Sequence, residues 1–508
     1  MEGGIVSKKK VSIINLAINY ANTFFLILNG LILVPVYFKF FSLTIYGSYL
    51  ASANIAAVLG LLEFGLSLVL TQKLSLLYKK KDYLAFSNLM WSGLATSFML
   101  FCILVIIALS ICTFVPIWVK ALPEDYKSIK YAFLLNCVGL GLNIYSNTLT
   151  SIFQAWSKVQ ISGLINVISA LFGITATVFG LFFGLGVISI ALGIFLKGLF
   201  CTLGLIPFLI TSYRKGKYPK SIVTLKSVFG VLKDSLPLFG NTVSKSFIEN
   251  VQLLIITNFI SPTATAVYAL TSKIYLVCSN LLAPIGSSIF SSLSQLVGEN
   301  DNTRLKVNII KVFSLFTLFS VFIIAVSFAL NSSFVVLWVG ADKYGGSLLS
   351  LILCINIFVS TRFDYINFNL FALGIFGKTL LYDQLAAVSR LILIFFLIKS
   401  VGIVAIPASE LISTLVFCGV FLNKLFIGHM DFDTKETMKI VFFGFVELGL
   451  LIGLGYIYQY FFPVVSSWNL MILHGICVSG AVCTVLLIMN RSVLYFVWDF
   501  LKKKIGSV

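Results

Sequence analysis

Ten charged side chains fall inside apolar stretches long enough to cross a bilayer. They are the cations Lys197, Lys245, Lys273, Arg362 and Arg390 and the anions Glu63, Glu249, Asp364, Glu410 and Glu447. A charge at membrane depth is expensive, so it faces a wet cavity or a partner and marks a substrate or ion path. Asn241, Lys245, Glu249 and Gln252 follow one another at three-to-four-residue spacing, which puts them on one face of a helix. Lys245 and Glu249 are also placed to neutralise each other. Arg362 and Asp364 are two apart and point to different sides. Arg390 has no acidic residue within a turn. A guanidinium without a local partner calls for water or an anionic ligand, and its planar fork of donors matches phosphate oxygens. Lys245, Lys273, Arg362 and Arg390 around one chamber would hold an anionic headgroup such as a pyrophosphate, with Lys197 as a further cation. Glu410 and Glu447 lie nearer span ends and read as structural.

Two asparagine stripes accompany the charges. One is Asn15, Asn19, Asn22 and Asn29; the other is Asn136, Asn143, Asn147 and Thr150. Helix-to-helix hydrogen bonding, about 0.6 kcal/mol per contact, explains them as well as cavity lining does. Other chemistry finds no support. Nine cysteines include no C-x-x-C pair, and His429 and His474 are too few for a histidine metal site. Asp431-Phe432-Asp433 has the look of a glycosyltransferase acidic pair, but it sits in a short loop with no nucleotide-binding domain around it. No nucleotide, serine-hydrolase or zinc-protease motif occurs, so neither a cofactor, a metal nor an enzyme is expected.

Helices must carry these residues. The 508 residues are 59% hydrophobic and 11% charged, with mean hydropathy +1.04, which describes a polytopic membrane protein. The expectation is all-α, with about 14 spans. They fall at 11–37, 46–71, 88–115, 131–153, 161–184, 187–211, 236–260, 266–290, 307–331, 347–371, 379–400, 403–424, 439–462 and 469–490. The first follows Lys8-Lys9-Lys10 and reads as a retained span rather than a cleaved signal. The net charge of +18 gathers on one side: Lys8 to Lys10, Lys79 to Lys81, Arg214 to Lys233, Lys435 and Lys502 to Lys504. Only Lys39, Lys120, Lys127, Lys130, Lys343 and Lys399 fall on the other. The positive-inside rule then places both termini in the cytoplasm, and nucleic acid is not a partner. Ile222, Leu225, Phe229 and Leu232 lie at helical spacing in a basic connection, which suggests a surface helix tethering two halves. The domains expected are 1–211, a linker at 212–235, 236–424, and a pair of extra helices with a basic tail at 425–508.

The halves resemble each other. Phe41-Ser42 with Tyr46-Gly47 is echoed by Ile260-Ser261 with Tyr268-Ala269. On that register Asn19 falls opposite Asn241. Duplicated bundles with a site at the interface are a common transporter plan. Pro35, Tyr46-Gly47, Leu62-Glu63-Phe64-Gly65, Tyr268, Lys273 and the Pro284 region then carry a resemblance to a known family. It is that of the Wzx/PST-type polysaccharide flippases of the multidrug/oligosaccharidyl-lipid/polysaccharide exporter superfamily, with a MATE-like fold. The resemblance implies two pseudo-symmetric six-helix lobes around a central cavity. It implies export of an undecaprenyl-pyrophosphate-linked oligosaccharide across the bacterial inner membrane by alternating access, coupled to an ion gradient. Lys245, Lys273, Arg362, Arg390 and Lys197 would hold the pyrophosphate. Asn15, Asn19, Asn22, Asn143 and Asn241 would face the sugars, and Glu249 or Glu63 would take the coupling ion. A polysaccharide polymerase and chain-length machinery are the partners it suggests. A MATE-like drug exporter, a lipid II flippase and a polytopic polymerase or glycosyltransferase are the alternatives.

Overall fold

The computed structural model describes residues 30–63, 65–216, 218–221, 223–282, 302–373, 375, 377–430 and 434–490. Among them every regular element is helical. By contacts the chain divides into two compact units, Met1–Ala266 and Val267–Val508.

The first unit begins with α1 (30–37) and α2 (Leu43–Gly60). The span expected at 46–71 is broken. After α2 come a single tight turn at Leu61–Glu63 and Gly65 at φ 67°, and then α3 (Leu66–Lys80). Only glycine enters that left-handed region without strain, so Gly65 marks a kink. There follow α4 (Tyr83–Ile111), the short α5 (Val115–Trp118), α6 (Tyr126–Ala155), α7 (Val159–Phe182) and α8 (Ile188–Lys215). Helix α6 is the hub, packing on α2, α3, α4 and α8. Its crossing with α8 depends on small residues: a Cβ added to Gly139 would lie 2.8 Å from Phe195 N. Lipid offers no hydrophobic drive between helices, so close backbone approach supplies the packing.

α9 (Leu225–Phe259) completes this unit apart from the start of α10. The residues expected to form a separate linker helix are its first three turns. Thr224 and Ser227 form a reciprocal capping box that starts the helix. From there it runs 35 residues without interruption, about 52 Å. The buried face at its start is Val228 and Val231, while Leu225 and Phe229 are exposed. Ser92 donates to Ser227 Oγ at 2.8 Å, and Lys73 pairs with Asp234.

The second unit holds most of α10 (Pro262–Thr271), α11 (Lys273–Leu282), α12 (Asn302–Val339), α13 (Ser347–Ala372) and α14 (Gly377–Val401). One continuous rod then comprises α15 (Ala405–Ser413), a π-helical stretch over Thr414–Leu422 and α16 (Asn423–Met430). α17 (Thr434–Phe461) and α18 (Trp468–Met489) end the described chain. α12 packs on α13, α17 and α18. Gly455 of α17 lets Phe328 approach, since a Cβ there would lie 2.9 Å from the ring.

Nine stretches of the described residues are long and apolar enough to cross a membrane. One of them runs from Leu43 through the kink to Lys80, and another, Gly377–Gly428, takes in α14, α15 and most of α16. Helices α6 and α9 are long enough but too polar to qualify; they carry Asn136, Asn143 and Asn147, and Glu249 and Gln252.

Candidate functional site

The described charges inside the spans can now be placed, each within its own unit. In the first, Glu63 sits in the turn before the kink, half-buried, and accepts a hydrogen bond from Ser67 Oγ. The kink thus aims the carboxylate back onto α3. Lys197 is half-buried on α8, with its stem against Gly173 of α7 at 3.0 Å from the position a Cβ would take. Glu249 is exposed on α9. Helix α9 is regular through Asn241 and Lys245; their side chains, and Asn15, Asn19 and Asn22 entirely, lie outside the described residues.

The asparagines of α6 do not act alike. Asn143 is half-buried and donates to Gly139 O of its own helix at 2.9 Å, so it is not spent on a neighbouring helix. Asn147 is exposed, while Asn136 is buried and its Oδ1 has no partner among the described residues.

In the second unit the arginines keep separate company. Arg390 of α14 forms an ion pair with Glu410 of α15 at 2.8 Å. Its lack of an acidic neighbour within a turn is made good by the next helix, twenty residues on. Tyr268 of α10 lies within electrostatic reach of both. Arg362 is 3% exposed on α13. It donates Nη1 to Phe358 O at 2.6 Å and stacks its guanidinium on the Phe358 ring. Gly444 of α17 makes room for it, because a Cβ there would sit 3.3 Å from Nη2. Glu447, one turn further along α17, is buried, feels the arginine electrostatically and accepts from Asn490 Nδ2 at 2.6 Å. Nε and Nη2 of Arg362 have no partner among the described residues, nor does the buried Oγ1 of Thr317 beside Gly444. Of the carboxylates read as structural, Glu410 is thus the ion-pair partner of Arg390, while Glu447 lies within electrostatic reach of Arg362 without bonding it.

Lys273 is half-buried and opens α11. The expected span 266–290 is interrupted just before it. Asn331 Nδ2 of α12 bonds Thr271 O at 3.2 Å, and Thr271 Oγ1 accepts from Gly345 N at 2.8 Å. Competing donors from other elements fix the chain at this break. Lys273 consequently stands at a one-residue kink inside the expected span, across which Ser272 N still bonds Tyr268 O and Leu276 N bonds Ser272 O, both at 3.0 Å. Asp364 borders a narrow cleft with Ser279, Thr361 and Tyr365.

Sequence reasoning missed one carboxylate. Asp383 of α14 accepts from Asn367 Nδ2 of α13 at 3.2 and 3.1 Å, with Cys418 Sγ of the π-helical stretch 3.8 Å away. It lies only a few residues into the span expected at 379–400, where an acid reads as a flank; the buried asparagine opposite was the available signal.

Comparison with known proteins places this arrangement. The sequence pattern of the family described as "Polysaccharide biosynthesis protein" matches residues 13–297. No curated protein matches the chain significantly. Among solved structures, the lipid II flippase MurJ in an inward closed conformation is similar, with TM-score 0.72 and 15% identity. That likeness covers 95% of this chain and 100% of MurJ. An inward-facing multidrug-resistance MATE transporter of the MOP superfamily gives TM-score 0.63 at 13% identity, over 82% of this chain and 98% of its own. A MATE transporter of Vibrio cholerae gives 0.58 at 13%, over 85% and 100%. Since the family pattern spans more than half of its residues, the chain belongs to the polysaccharide biosynthesis protein family, and it has the all-helical fold of MurJ and the MATE transporters of the MOP superfamily.

Proposed function

We propose that this protein is a flippase that moves an undecaprenyl-pyrophosphate-linked oligosaccharide repeat unit from the inner to the outer leaflet of a bacterial inner membrane. It works by alternating access with about 14 spans, both termini in the cytoplasm. The observation that carries the reading is that the second unit withdraws two cations from lipid: Lys273, half-buried at the kink that opens α11, and Arg362 of α13, buried with two N–H edges that have no partner among the described residues. Basic side chains kept inside a bundle at membrane depth mark a substrate path. Lys273 and Arg362 are the primary pyrophosphate ligands in this reading, with Lys245 and Lys197 contributing positive charge. Arg390 contributes through its pair with Glu410 rather than as a free cation. Asn143 faces the sugar, as do Asn241, Asn15, Asn19 and Asn22. Ion coupling runs through Glu249 or Glu63.

Lipid II is a second cargo, favoured by the MurJ likeness over 95% of the chain. It presents the same pyrophosphate and differs in the sugar. A cationic drug is disfavoured, since it would repel Lys273 and Arg362. In a host lacking its own flippase, Lys273→Gln is expected to abolish surface polysaccharide while the protein still reaches the membrane. Full surface polysaccharide from that variant would remove Lys273 from the site.

A further inference from the structure

Helix α17 does more than pack against α12; it supplies one side of the surroundings of Arg362. Gly444 and Glu447 are three residues apart and share a face. Gly444 leaves open the space where a Cβ would lie 2.8 Å from Thr317 Cγ2 and 3.3 Å from Arg362 Nη2. Phe445 packs edge-on against Phe358, ring centroids 5.0 Å apart, and braces the ring on which the guanidinium stacks. Arg362 and Glu447 are both buried, and each feels the other's charge.

A buried carboxylate within reach of a buried guanidinium is expected to close on it with a charge-assisted bond, because an uncompensated charge there is costly. Glu447 does not. Its Oε1 accepts from Asn490 Nδ2 at 2.6 Å, and the same nitrogen donates to Leu486 O at 3.2 Å, which ties the amide to the end of α18. Nε and Nη2 of Arg362 and the buried Oγ1 of Thr317 are left without partners among the described residues. Buried polar groups left unbonded call for an explanation, and a ligand that arrives and leaves supplies one. An anion taken up there would lie in the field of Glu447, which loosens its hold. Transport needs that, since a site must bind its cargo well enough to admit it and weakly enough to let it go.

We propose that Glu447 tunes the affinity of Arg362 for the cargo. Held off the guanidinium by Asn490, it leaves the two N–H edges free for a phosphate oxygen, and its own charge hastens that oxygen's release. Asn490 is the positioning residue in this scheme, and the last two helices set the strength of the site besides packing on the second unit. The inference rests on the reading of Arg362 as a headgroup ligand.

The test titrates inorganic pyrophosphate calorimetrically into the purified full-length protein in mixed micelles. Glu447→Gln removes the competing charge and is expected to bind at least about fivefold more tightly than wild type, and Asn490→Leu, which lets Glu447 swing onto Arg362, at least about fivefold more weakly. In the Glu447→Gln background Asn490→Leu is expected to change nothing, because a neutral side chain no longer competes. Equal affinity in wild type and Glu447→Gln, or an Asn490→Leu effect that survives in the double variant, overturns the inference. So does failure of every form to bind. If Glu447→Gln does not fold, Asn490→Leu decides alone, and unchanged affinity there overturns the inference. In vesicles the tighter binding of Glu447→Gln should appear as a lower KM together with a lower kcat for flipping of a pyrophosphate-linked oligosaccharide lipid. Opposite shifts in pyrophosphate affinity with no flipping by any form, wild type included, would uphold the role of Glu447 and overturn the transport reading.

Discussion

Removing either member of the Arg390–Glu410 pair should be far more damaging than removing both. The side chains are 10% and 27% exposed and meet at 2.8 Å, so both charges are largely withdrawn from solvent. Breaking a buried pair costs about 3 to 5 kcal/mol, because the surviving charge is left uncompensated. The partial exposure of Glu410 argues for the lower end, about 3 kcal/mol for Arg390→Met and the same or slightly less for Glu410→Gln. Replacing both removes the desolvation penalty with the attraction, and the double variant should return to within about 1 kcal/mol of wild type. Unfolding in mixed micelles, followed with a thiol-reactive dye, reads this directly, because six of the nine cysteines are buried. Additive losses in the double variant would refute the pairing. Arg390 would then be the free cation that its own helix suggests.

Other outcomes follow from single contacts. Gly444→Val pushes a side chain against Thr317 and Arg362, where a Cβ alone would lie 2.8 and 3.3 Å away; overpacking of this kind costs about 1 to 3 kcal/mol, measurable in the same unfolding assay. Asp383→Ala leaves the buried Asn367 amide without its acceptor; about 1 to 3 kcal/mol should be lost. Thr224→Ala removes the capping box of α9 and should cost about 1 kcal/mol. Lys73→Ala, by contrast, breaks a pair whose side chains are 42% and 45% exposed, and the change should stay below about 1 kcal/mol.

The helices themselves were legible because hydropathy alone marks a chain that must bury its backbone in lipid. Local sequence did not reveal where they break. The kink at Gly65 depends on one backbone angle, and the interruption before Lys273 depends on Asn331 and Gly345, more than fifty residues away. The continuity of α9 went the other way: a basic, amphipathic beginning followed by Pro237 read as a separate surface helix, but the helix that starts at the capping box continues past that proline. Site residues were legible as types and not as partners. Arg362 and Arg390 stood out as intramembrane cations, but the sequence did not show that both are buried, that Glu410 of another helix pairs with Arg390, or that Glu447 of α17 lies within electrostatic reach of Arg362. Asp383 escaped notice because an acid near a span end resembles an ordinary flank.

The decisive measurement is flipping by purified protein in vesicles, using a fluorescent undecaprenyl-pyrophosphate oligosaccharide and its counterpart without the phosphates. The account predicts that wild type moves only the pyrophosphate form. Lys273→Gln and Arg362→Gln should each slow it at least tenfold while remaining folded. Equal transport of both lipids, or unimpaired transport by both variants, would contradict the claim that these cations recognise the phosphorylated head.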